Sequence, residues 1–195
     1  MRLKTMIRAA ASAAILTAAL SSGEVHALTF VIANGAPQIY LRIGQTGGTD
    51  SVVNFAVTGA NAGNGTAILG TVPANAGAAS AAETPNFAVC PGNYVRIVAR
   101  ARSTVGAPRT ASLTVNSTAG IVSGGNTIPF TQFDWISDDA ADLPAGAFTG
   151  APAQPLTTFI TSREVGACHR FRYLNTQVYP SGTYTGNVIY NLQMP

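Results

Sequence analysis

Glycine and proline cut this chain into short pieces, and that punctuation decides what it can fold into. Its 195 residues include 20 Gly and 11 Pro, which would break long helices repeatedly. Between the breakers lie short β-branched and aromatic runs. The pattern predicts strands at 38–43, 52–58, 67–72, 86–90, 94–102, 110–116, 127–136, 156–161, 170–174 and 183–194. Turn signals separate them, among them Gly47-Gly48, Asn61-Ala62-Gly63-Asn64-Gly65, Pro91-Gly92-Asn93 and Gly124-Gly125-Asn126. The Ala-rich stretch 74–82 reads as loop, because Asn75, Gly77 and Pro85 limit any helix. Strands joined by turns, without helical segments between them, predict an all-β, antiparallel β-sandwich.

Charged residues make up only 10% of the chain and hydrophobic ones 47%, which excludes a disordered charged tail and a coiled coil. Residues 1–27 read as a secretory signal peptide. Arg2, Lys4 and Arg8 precede the apolar run from Ala9 to Leu20, and Val25-His26-Ala27 offers small residues at the cleavage site. That run falls well short of the roughly 20 residues that span a bilayer, so no membrane span is expected after cleavage. Residues 28–195 are then a single exported β-sandwich domain. Without the leader, eight Arg face seven acids, a balance that gives nucleic acid no strong field to bind.

Export gives Cys90 and Cys168, the only two cysteines, a reason to pair. Closing a loop of nearly 80 residues removes chain entropy from the unfolded state, worth roughly 4 kcal/mol. The rival, a Cys168-His169 nucleophile and base, fails because adjacent strand residues point to opposite faces.

Two segments alternate cleanly. In 94–102, Val95, Ile97, Ala99 and Ala101 share one face and Arg96, Arg100 and Arg102 the other, a half-buried strand with a solvated arginine row. Arg170 and Arg172 around Phe171 read the same way. From Gly182 to the end, Tyr184, Gly186, Val188, Tyr190, Leu192 and Met194 fall on one face. Thr183, Thr185, Asn187, Ile189, Asn191 and Gln193 fall on the other. No hairpin partner follows this strand, so its outer edge is expected to be open, and open edges recruit other strands.

The alternation at Val188, Tyr190 and Leu192, the glycine at Gly182 fourteen positions from the end, and the apolar penultimate Met194 resemble the subunits of bacterial chaperone–usher fimbriae. The signal peptide, the Gly- and Thr-rich all-β body and the single cysteine pair add to the resemblance. It implies an immunoglobulin-like sandwich with an incomplete edge. A periplasmic chaperone, after that an outer-membrane usher, and finally neighbouring pilus subunits would handle that edge, formed by Gly182, Val188, Tyr190, Leu192 and Met194. It also implies passage through the periplasm to the cell surface, a part in cell adhesion, and a donor strand after the signal peptide. Leu28, Phe30 and Ile32 alternate there before Asn34-Gly35. That run fits a donor and fits equally the first strand of the sandwich.

Other chemistry finds little support. His169 is the sole histidine after the leader, and no Gly-x-Ser-x-Gly elbow accompanies it. Paired cysteines leave too few ligands for zinc. Asp134, Asp138, Asp139 and Asp142 lack the calcium-loop pattern and read as a solvated turn. Nothing in the sequence sets two carboxylates, such as Asp134 and Glu164, at a glycosidase separation. No glycine-rich phosphate loop opens a helix. Trp135 reads as core rather than as a sugar-stacking platform. The expectation is a non-enzymatic fimbrial or pilin-like subunit without metal or cofactor, assembling by donor-strand exchange. The alternative is a self-contained secreted β-sandwich that binds carbohydrate or serves adhesion.

Overall fold

The computed structural model describes residues 38–45, 51–80, 83, 89–103 and 108–194. The strands in chain order are β1 (Gln38–Ile43), β2 (Ile68–Leu69), β3 (Val95–Arg102), β4 (Thr110–Asn116), β5 (Ile121–Ser123) and β6 (Asn126–Ile128). A single 3-10 turn (Phe130–Gln132) leads into β7 (Phe133–Ser137), followed by β8 (Gly146–Ala147), β9 (Gln154–Ile160), β10 (Arg163–Tyr173) and β11 (Ile189–Gln193). Every pairing is antiparallel.

The larger sheet has the order β1-β3-β10-β7-β8, with β2 alongside β10, and the second has the order β11-β4-β9. Period-two patterning brings them together. From the first sheet Ile97, Ala99, Val165, Phe171, Phe133 and Trp135 point inward; from the second come Leu113, Val115, Phe159 and Leu192. Across the first sheet β1, β3, β10 and β7 follow the A-B-E-D order of an immunoglobulin constant-type sandwich, and β4 and β11 stand as C and F, whereas β9, beside β4, has no counterpart in that scheme. Among the described residues no strand stands at the G place, beside β11.

The predicted bounds hold to the residue for β1 and β4, where alternation is unbroken. Elsewhere tertiary contacts move them. The expected strand 127–136 is split, because Pro129 cannot donate to a ladder and begins the 3-10 turn. Gly124 and Gly125 have φ of 52° and 85°, the geometry of a two-residue hairpin turn, so the start of the expected strand 127–136 becomes β6 and pairs in a hairpin with β5, a strand the sequence reading did not include. The expected strand 52–58 shrinks to one bridge, Asn54 to Thr71. Residues 84–88, most of the expected strand 86–90, lie outside the described residues. The expected strand 183–194 keeps regular pairing only at 189–193. Its first half crosses the β5–β6 hairpin through a Val122–Thr185 bridge, and a Cβ on Gly186 would meet the Gly120 carbonyl oxygen.

Charge is organised more tightly than alternation suggested. Arg96 is not solvated: it is buried, as is Arg42. The Arg42 guanidinium donates to Glu83 at 2.6 Å and the Arg96 Nε donates to the other Glu83 oxygen at 2.7 Å. Arg42 also donates to the carbonyls of Gly44, Gln45 and Ala78. The segment around Ala76 and Glu83 covers this end of β3, which strand periodicity cannot reveal. Arg100 pairs with Glu164, and only Arg102 is exposed. Arg172 likewise grips Asp134 through two hydrogen bonds.

Candidate functional site

The site lies at the lateral edge of the sandwich, where β11 of the second sheet meets β1 of the first. β11 pairs with β4 in the register Tyr190–Val115, Asn191–Thr114 and Leu192–Leu113. Among the described residues nothing pairs with its other edge. Tyr190, Leu192 and Met194 face the core, while Ile189, 57% exposed, faces out with Asn191 and Gln193. The side-chain faces are those the alternation indicates.

Opposite β11, at the matching edge of the first sheet, runs β1. Its inward row is Ile43, Leu41 and Ile39. Exposure along that row rises from 9% at Ile43 to 55% at Ile39, although Ala101, directly across from Ile39 on β3, is fully buried. An apolar side chain turned toward the core yet half in water marks a place that the described residues leave uncovered. A hollow of about 480 Å³ opens there, lined by Ile39, Ser112, Leu192, Gln193 and Met194. Its floor is apolar and its rim carries one hydroxyl and one amide. Burial pushes the Tyr190 phenol up from its ordinary pKa, so this residue stays neutral under the edge.

The structure separates the expected edge residues into two groups. Tyr190, Leu192 and Met194 stand on or directly after β11, and Val188 leads into it, half-buried against the core. Gly182 does not join them. It lies against Ser123 of β5, where an added Cβ would meet the hydroxyl. Leu28, Phe30 and Ile32 lie outside the described residues, as does the expected leader. Ile39 and Ser112 were missed, although the 39-41-43 alternation was legible. What the sequence could not supply is that the outermost member of that row is left uncovered.

The remaining candidates are structural. Cys90 and Cys168 form a disulfide, with Cα atoms 5.6 Å apart, that ties the loop before β3 to β10. His169 points into the core, opposite in sense to Cys168. Its ring stacks on Trp135 at 5.7 Å, and Nε2 lies 3.4 Å from the Leu143 carbonyl. Burial holds the imidazole pKa down to about 4. Trp135 is buried 4.9 Å from Phe148, and its Nε1 donates to the Pro144 carbonyl. A sugar platform there is therefore ruled out.

The acidic cluster is not a free turn. Asp142 is buried and binds Arg163 and the Gly166 amide, and Asp138 accepts from the Cys168 amide. Among the described residues no three His, Cys, Asp or Glu converge as a metal site. Comparison with family models, with curated proteins and with solved structures finds no match.

Proposed function

We propose that this protein is a structural, pilin-like subunit of a bacterial surface fimbrium that assembles by donor-strand exchange. The observation carrying the reading is β11, hydrogen-bonded on one side only among the described residues and bordered by the apolar hollow at Ile39, Leu192 and Met194. A strand added to this edge gains backbone hydrogen bonds from β11 and covers the exposed part of that floor. In this reading a periplasmic chaperone supplies the strand first, and an outer-membrane usher then presents the subunit to its neighbour. The run Leu28, Phe30 and Ile32 of one subunit fills the edge of the next. Contacts of that kind are head-to-tail and do not close, so they build filaments. The protein performs no chemistry of its own, and the disulfide suits an exported protein. The burial of Trp135 weighs against a carbohydrate-binding reading built on that residue.

A synthetic peptide with the sequence of residues 28–37 tests the reading. Titrated into the purified protein, it should perturb the amide signals of 189–193 and of Ile39 together. Tyr190→Asp, which places a charge beneath the added strand, should abolish the effect. Binding that leaves 189–193 unperturbed, or no binding by a protein that also stays monomeric at every concentration, would overturn it.

A further inference from the structure

We infer that, before any donor arrives, the outer edge of β11 is covered by the same edge of a second copy, antiparallel across a two-fold axis. This rests on the reading of β11 as an open edge and names what occupies that edge in the isolated protein. The argument is one of self-complementarity. Centred on Asn191, antiparallel pairing sets Tyr190 against Leu192 of the second copy and Ile189 against Gln193. Continued by one residue on the core-facing side, it sets Val188 against Met194. Every core-facing pair is then apolar on apolar, and Val188, Tyr190 and Met194 are left only partly buried by the chain's own fold. Directly opposed apolar side chains stabilise antiparallel pairs.

The outward face is compatible with its own image too. Ile189, Asn191 and Gln193 carry no charge, and neither do Ser112, Thr114 and Asn116 behind them on β4. Extending the sheet across the axis therefore opposes no like charges. No proline interrupts 189–193, so the alternate residues whose backbone groups point away from β4 all offer both an N–H and a C=O to the new ladder. An isologous contact of this kind closes at two copies, which distinguishes it from the open, head-to-tail contact of exchange. The dimer is thus a resting state that a donor strand must displace.

Sedimentation equilibrium across a dilution series of the purified protein reads the dimer directly. A monomer–dimer equilibrium is expected, and the 28–37 peptide should shift it toward monomer. Asn191→Lys places two ammonium groups face to face on the outward side. It should weaken the dimer by several-fold or more while leaving the circular-dichroism spectrum of the folded protein unchanged. A pair of double variants checks register. Ile189→Lys with Gln193→Lys opposes like charges twice and should also dissociate the dimer. Ile189→Lys with Gln193→Glu opposes unlike charges twice and should retain it.

A strictly monomeric wild type, an open ladder of oligomers, or a dimer unmoved by Asn191→Lys would overturn the inference. Failure of donor exchange looks different: the dimer would form and respond to the variants, yet ignore the peptide.

Discussion

The two lateral sides of this sandwich are finished differently. On one side β9 and β8 come together and are laced across the gap. The Gln154 amide donates to the Ala147 carbonyl at 2.8 Å, and its oxygen accepts from the Thr149 amide. Behind that lacing Trp135, Phe130, Phe148 and Leu143 fill the space between the sheets. The edge of β9 is also blunted by Pro155 and by a register shift opposite Leu113 and Thr114. On the other side β11 faces β1 with none of these devices among the described residues, and Ile39 stands half in water. Natural sheets protect edges that must stay alone. Among the described residues one side is protected and the other is not, and the proposed assembly rests on that difference.

The largest effect is expected from breaking the finished side. Trp135→Ala removes a buried indole from the Phe148–His169–Phe171 cluster and should cost about 3–5 kcal/mol. Chemical denaturation reads this directly. Because the indole is remote from β11, the fraction that remains folded should still capture the peptide. Loss of capture in that fraction would erase the distinction between the sides.

Acid provides the next test. The His169 pKa is lowered to about 4 in the fold against an ordinary 6.5. Above pH 6.5 both folded and unfolded states hold it neutral, and its contribution is fully present. As pH falls from 6.5 toward 4 the unfolded chain takes the proton first, so stability is lost. The loss should approach roughly 3 kcal/mol near pH 4, and His169→Gln should flatten that part of the profile.

Pro155→Thr sharpens the comparison at the smallest energetic scale. It restores an N–H to the edge of β9 and should change stability by no more than about 0.5 kcal/mol. Light scattering should nevertheless report a second, weaker mode of self-association, as expected if proline guards that edge. No change in association would assign the guarding to the Gln154 lacing.

Much of this contrast was legible in the residues. Period-two alternation located β1 and β4, gave the two faces of β3 and β11, and put Cys168 and His169 on opposite sides of β10. It failed where a distant segment decides the outcome. Arg96 looks solvated on its strand, and it is buried because Glu83 and Ala76 are folded over it from another part of the chain. Residues 183–188 alternate as well as 188–194 do, yet they are drawn across the β5–β6 hairpin instead of along β4. Strands as short as β5 and β8 carry no period to detect. The hollow beside Ile39 depends on how far apart β1 and β11 stand, and no single segment encodes that distance.

The central claim is that β11 has a neighbour on one side only, and residue-resolved hydrogen exchange tests it most directly, at dilutions where the protein is monomeric. In an edge strand alternate N–H groups point away from the sheet. The account therefore expects alternating fast and slow exchange along Ile189–Gln193, set against uniform protection along Thr110–Asn116, with the fast amides slowing when the 28–37 peptide is added. Uniform protection along 189–193 in the monomer, before any peptide, would mean that β11 is already flanked on both sides and would contradict the account.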